Sequence, residues 1–265
     1  MNAGATFQAF TRSGKRGERL MATVALIAGA GAGLYPLGDV SEVEEPETRW
    51  GWPSAALLTW QQAGHRVVYL ARHGALGDIP PHLVNYRANI AALAACEVDS
   101  VIALNGVGAI RPDLAPGSLI IPDQLVDYTW GRPHTVFDAE REEVEYIDFT
   151  EPYDKDLRSD LIEAGRSASL QLTAGATYGV TQGPRLETAA EIDRLERDGC
   201  DVVGMTSMPE AALARECGLS YASCCIVMNA AAGRGDGSIH AEIGAHMDAG
   251  MQAAASLFAE FLQRL

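Results

Sequence analysis

Residues 181–210 read TQGPRLETAAEIDRLERDGCDVVGMTSMPE, and the punctuation of this stretch decides the fold class. Residues 176–180, just before it, are apolar enough for a short extended segment, and Gly183-Pro184 stops that segment. The spacing of Ala189, Ile192 and Leu195 predicts a helix over residues 187–198, with Gly199 as its stop. Residues 201–204 then form a short apolar strand. Pro209 suits the first position of a further helix, where a missing N–H costs little. Met205 and Thr206 therefore lie between a strand exit and a helix N-terminus. Free N–H groups and the helix dipole favour an anion at such a place. The same pattern also fits an ordinary αβα connector with no ligand.

Bulk properties narrow the class. A chain of 265 residues can bury the core of one large α/β domain, and no Pro-, Ser- or charge-rich linker divides it. A net charge of −15 argues against a general nucleic-acid binder, which needs a basic surface. It leaves room for a small anion in a locally positive site. No apolar run approaches the roughly 18 residues of a membrane span. Cys96, Cys200, Cys217, Cys224 and Cys225 are odd in number and lack metal-ligand spacing. Buried thiols in a cytoplasmic protein are the simplest reading. Residues 1–20 are polar, with Arg12, Lys15, Arg16 and Arg19 and no apolar signal-peptide core. They read as a disordered extension or an overlong start ahead of one domain over residues 21–265.

Several other strands end in turns suited to a ligand. Residues 22–28 are a continuous apolar run that flows into GAGAG, residues 29–33, with Gly31 at its centre. Such backbone approaches phosphate closely. It is not a dinucleotide fingerprint, because Leu34 breaks the glycine pattern. Residues 55–60 and 66–71 read as a hairpin with Gly64 in the turn. The second run ends in Arg72-His73-Gly74, where a guanidinium matches phosphate bidentately; an Arg-His pair is also an ordinary surface feature. Residues 85–96 have helical spacing. Residues 101–104 form a buried strand ending at Asn105-Gly106, and Gly106 N–H is either a phosphate donor or part of a plain βα turn. Residues 116–124 are turn then strand. Residues 132–145 are polar and charged, a surface loop. Residues 155–167 form an amphipathic helix, and residues 221–228 a buried strand ending at Asn229. Residues 242–265 form a long helix with Met247, Met251, Ala254 and Phe258 on one stripe.

QGPRLET followed by GMTSMPE, with RHG ahead of PPHLVNYRANIAAL and with PGSLIIPDQLVDYT, resembles the family of phosphorylases that act on purine nucleosides and methylthionucleosides. The likeness is nearest to the methylthioinosine branch and covers almost the whole chain. It implies a single-domain α/β fold with a mixed, twisted central sheet flanked by helices. It implies a homotrimer, inorganic phosphate as co-substrate, and no metal or organic cofactor. By the same resemblance Arg72, His73, Gly106, Thr206 and the turn at Gly31 hold phosphate, and Met205 packs under the ribose, unless it is plain core. Leu186 stands where many relatives place Phe against the base. Tyr146 is the best match for an aromatic that reaches a neighbour's site; otherwise it packs on its own subunit. The turn at residues 29–33 departs from the family, because Ala30 or Ala32 replaces a hydroxyl.

Phosphorolysis builds positive charge on the sugar and negative charge on the leaving purine while phosphate attacks from the other face. The site needs donors for phosphate and groups that stabilise the purine. The candidates for the second task are Glu187 and Asn229. A 6-oxopurine presents N1–H as a donor and O6 and N7 as acceptors, so a carboxylate and an amide suit it. In the methylthioadenosine branch two acids stand where this chain has Asn229 and Ala231, and a small hydroxyl residue replaces Glu187. Both differences imply hypoxanthine or guanine as the leaving group. Ile243 occupies the place of a polar residue that reads a 5′-hydroxyl, which implies a methylthio group. A slip in the alignment through residues 233–241 would let His240 or His246 intrude instead and favour inosine and guanosine. The missing hydroxyl also leaves open a nucleoside-binding protein without turnover.

Overall fold

The computed structural model describes residues 21–29, 31–35, 38–137 and 144–265. The N-terminal extension, Ala30 and part of the polar loop at 132–145 lie outside the described residues.

The chain opens with β1 (Thr23–Ala28), buried almost throughout, as an apolar strand between two neighbours must be. β2 (Glu42–Glu44) is an exposed edge. β3 (Leu57–Gln62) and β4 (His65–Ala71) pair antiparallel. Their turn is tighter than the sequence suggests: only Ala63 and Gly64, at φ 51° and 83°, the left-handed pair that suits strand twist. α1 (Tyr86–Ala95) starts where the Asn85 side chain accepts from Ala88 N–H. β5 (Ser100–Ala109) runs well beyond its expected end. β6 (Leu119–Ile121) and β7 (Gln124–Asp127) are separate strands on either side of Pro122-Asp123. α2 (Lys155–Ser167), β8 (Leu172–Ala174) and β9 (Thr177–Val180) follow.

α3 (Ala189–Arg197) begins later than its apolar spacing predicts. Thr188 and Glu191 form a reciprocal capping box, so Glu187 precedes the helix. β10 (Val202–Gly204) leads into α4 (Ser207–Glu216), where Met208 has φ −115° and ψ 136°. The continuous helix therefore starts at Pro209. β11 (Ser220–Ala230) and α5 (Ile239–Arg264) end the chain.

All eleven strands among the described residues join one mixed sheet, ordered β2-β3-β4-β1-β5-β10-β9-β7, with β11 beside β5 and β6, and β8 beside β6. β1, β4, β5 and β11 are parallel neighbours, whereas β10 runs antiparallel to β5. Ala25 and Ile27 of β1 face one core with Ile90 and Leu213; Val24, Leu26 and Ala28 face the other with Phe258 and Phe261. This is the period-two alternation of a strand buried on both faces.

The sheet forks at β5. Its pairing with β1 ends at Leu104, and its pairing with β10 begins only at Gly108. Residues 105–107 thus have no strand on that side, and β1 and β10 both point their C-terminal ends at the gap. In open α/β sheets such a place is a natural crevice. On the other side β11 follows β5 throughout, but its register shifts between Val227 and Asn229. Met228 is the extra residue of a β-bulge. All five cysteines are free. No helix among the described residues is long and apolar enough to cross a membrane.

Candidate active site

A cavity fills the fork. Gly29 after β1, His73 after β4, Gly106 within β5, and Met205 and Thr206 after β10 line it, as do Leu186, Glu187 and Asn229. From α5 come Ile239, Ile243 and Met247, spaced four apart on one helical face. Ile243 is part of this lining, and His240 and His246 are not. Met228 and Asn229, adjacent in sequence, both line the cavity. A regular strand would send them to opposite faces; the bulge permits it.

Thr206 is held by a buried chain of side chains. Ser223 Oγ donates to Asn105 Oδ1 at 2.7 Å, and Asn105 Nδ2 donates to Thr206 Oγ1 at 2.7 Å. Because its oxygen already accepts, the threonine hydroxyl keeps its proton as a donor. Asn105 and Ser223 carried no motif; the apolar runs around them read as plain strand.

Arg72 needs a correction. It is fully buried and is not part of the cavity lining. Its Nε and Nη2 donate to the two oxygens of Glu210 at 2.7 and 2.8 Å, and Nη1 to Leu104 C=O at 3.0 Å. The bidentate edge expected to grip phosphate belongs to Glu210, whose carboxylate outweighs burial and holds the guanidinium charged. Nη1 lies directly behind Gly29, where an added Cβ would come within 2.6 Å of it. Gly29 itself, not Gly31, lines the cavity. Gly31 lines an adjoining depression with His73 and Gly74.

His73 Nδ1 lies 2.8 Å from Ile79 C=O, so Nδ1 carries the proton and Nε2 is the acceptor of the neutral ring. Burial, then the charge of Arg72, hold this imidazole below its usual 6.5.

Glu187 sits before α3 rather than within it. Thr181 Oγ1 donates to its Oε1 at 2.6 Å, which fixes the carboxylate and leaves Oε2 for a donor in the cavity. Asn229 Nδ2 donates to Ala230 C=O at 2.6 Å, and the second N–H of the amide remains. Glu242 of α5 accepts from Ala230 N–H at 2.9 Å, tying the segment after β11 to α5. A Cβ at Gly183, which has φ +60°, would run into Met205 Sδ. The QGP and GMT segments therefore touch, and only glycine allows the approach.

Two expectations do not meet at this cavity. Tyr146 is 92% exposed, not packed on its own subunit, and not among the lining residues. Arg132, expected on a surface loop, is 4% exposed and buried between the cavity-forming segments.

The chain matches the model of the phosphorylase superfamily over residues 23–263. It is 52% identical over 220 residues, 82% of this chain and 89% of the other, to a probable S-methyl-5′-thioinosine phosphorylase of Xylella fastidiosa. It is 42% identical over 229 residues, 84% of this chain and 85% of the other, to the 6-oxopurine nucleoside phosphorylase of Pyrococcus furiosus. Among solved structures, the methylthioadenosine phosphorylase of Schistosoma mansoni in complex with tubercidin superimposes with a TM-score of 0.84 at 29% identity, covering 91% of this chain and 90% of that one. Read with the forked sheet and its cavity, these matches mean that the chain belongs to the phosphorylase superfamily, among its nucleoside phosphorylases.

Proposed function

We propose that the protein cleaves S-methyl-5′-thioinosine with phosphate, giving hypoxanthine and 5-methylthioribose 1-phosphate, as a pentosyltransferase. The observation that carries this reading is one cavity lined at once by Glu187, Asn229 and the apolar α5 face Ile239, Ile243 and Met247. Glu187 Oε2 accepts from purine N1–H, and the free N–H of Asn229 donates to O6 or N7 as negative charge gathers on the leaving base. Met205 packs under the ribose. The isoleucines and Met247 take the methylthio group, for which a 5′-hydroxyl would be a poor exchange, since it would be buried without a partner. The relative of this name supports the same substrate.

Phosphate is held by Thr206 O–H, Gly106 N–H and His73 Nε2, the last accepting from the P–OH of monohydrogen phosphate. The charge of Arg72 is already matched by Glu210, so neutral donors do most of the binding. The enzyme works without metal or organic cofactor, as a cytoplasmic homotrimer in which Tyr146 approaches a neighbour's cavity. Its 92% exposure on a single chain supports that role.

The test is a panel of inosine, guanosine, methylthioinosine and methylthioadenosine, assayed with and without phosphate. Phosphate-dependent turnover with methylthioinosine preferred supports the reading. Equal rates on inosine would make it a general 6-oxopurine phosphorylase, the reading favoured by the Pyrococcus relative. Calorimetric binding without turnover would make it a binding protein.

A further inference from the structure

Arg132 is a buried cation whose hydrogen-bond acceptors are uncharged. Its Nη1 donates to the carbonyls of Met205 at 2.8 Å and Met208 at 2.6 Å, and to Tyr86 Oη at 3.3 Å. Its Nη2 donates to the carbonyls of Thr181 at 3.2 Å and Gln182 at 2.8 Å, and Nε to Gln182 Oε1 at 3.2 Å. The guanidinium also stands 5.5 Å over the Tyr86 ring. Apart from Tyr86 on α1, these partners fall in two groups. Thr181 and Gln182 begin the segment that leads to Glu187, and Thr181 itself fixes the Glu187 carboxylate. Met205 precedes Thr206 and lines the cavity. One rigid fork thus joins the base-reading segment to the turn that carries the sugar and phosphate contacts.

We infer that Arg132 is a positioning residue for the reaction, setting the separation between Glu187 on one side and Met205 and Thr206 on the other. The inference rests on the phosphorolysis reading but assigns a residue that the reading does not use. The chemistry demands arginine. Five N–H donors in a planar fork reach both backbones together, whereas the single ammonium of lysine keeps the charge and cannot span them. Misplacing reacting groups by about an ångström costs on the order of 100-fold in rate. A lost brace should therefore act on both substrates together.

The experiment compares wild type with Arg132→Lys, Arg132→Ala and Gln182→Ala. It reads kcat, KM for methylthioinosine, KM for phosphate, thermal midpoint, and hypoxanthine affinity by calorimetry. Arg132→Lys is expected to lower kcat by roughly 10- to 100-fold and to raise both KM values. Added guanidinium should restore part of the activity of Arg132→Ala. Gln182→Ala, which removes one acceptor, should show the same two-sided shift at smaller size, and it carries the test if the Arg132 variants fail to fold. Wild-type kinetic constants in folded Arg132→Lys, or a shift confined to one substrate, would overturn the inference. If wild type itself shows no turnover, the phosphorolysis reading falls. The positioning role is then read from hypoxanthine affinity, and an unchanged affinity in Arg132→Lys sinks it.

Discussion

A guanidinium buried against a carboxylate answers to stability before it answers to ligand. Glu210 receives two bonds from Arg72 and a third from Tyr221 Oη at 2.9 Å. Arg72→Ala strands that carboxylate in the interior, which costs about 3–5 kcal/mol. A large fall in the thermal midpoint is expected, ahead of any rise in phosphate KM; an unchanged midpoint would contradict the pairing. The sequence does not announce this pair, because its members stand 138 residues apart and no local periodicity links them. Asn229 was legible, since it closes an apolar run. Asn229→Asp puts a second acceptor before O6 and N7. Activity on methylthioinosine should drop roughly 10- to 100-fold, from about 1–3 kcal/mol of unmatched polarity. The ratio of kcat/KM for methylthioinosine to that for methylthioadenosine is the readout, and an unchanged ratio removes Asn229 from base choice. His73 carries a pH signature. Its pKa is lower in the fold than the usual 6.5, so stability from the neutral ring is present above that value and is lost as pH falls through the depressed one. His73→Asn can keep the bond to Ile79 without titrating. Its thermal midpoint should fall less than that of wild type as pH drops below 6.5; parallel curves would rule this out.

At the scale of elements, what was legible is what one local rule decides. Uniform apolar runs gave β1, β4 and β11, and amphipathic spacing gave α2 with its full extent. β2 and β8, each three residues long and with no fully buried position, carry no such signal. The start of α3 follows a cap rather than apolar spacing, so the helix begins two residues after Glu187 and the carboxylate is free to meet Thr181. Thr188→Ala should cost about 1 kcal/mol through loss of the cap. Thermal unfolding measures it, and no change would mean that Glu191 and Arg185, paired at 2.7 Å, hold the end without help. The loop at 132–145 misled for a physical reason. A charged residue among polar neighbours reads as solvated, and only tertiary structure offers Arg132 the backbone acceptors that make its burial tolerable.

For the whole molecule, the forked sheet explains why residues far apart in sequence converge. Strands of opposite direction deliver Gly29, Thr206 and Asn229 to one level of β5, and α5 closes the remaining side. An α/β class was legible from alternating strand and helix signals, and the mixed sheet was implied by the family resemblance; the fork was not legible, because register between distant strands leaves no mark in a single sequence. Leu186 and Leu76 are exposed while lining the cavity and the adjoining depression. Apolar side chains in that position suit burial by another copy. If the proposed trimer forms, sedimentation reports three chains of 28.2 kDa; a monomer active at all concentrations would dismiss it.

The extra residue in β11 makes the lining of the cavity a matter of counting as well as chemistry. Excising Met228 alone would bring Val227 and Asn229 into ordinary succession with Asn229 still opposite Gly108, and would take one side chain out of the cavity lining. One residue more or less in this strand changes how many side chains face the cavity, a difference that comparing residue types column by column would overlook.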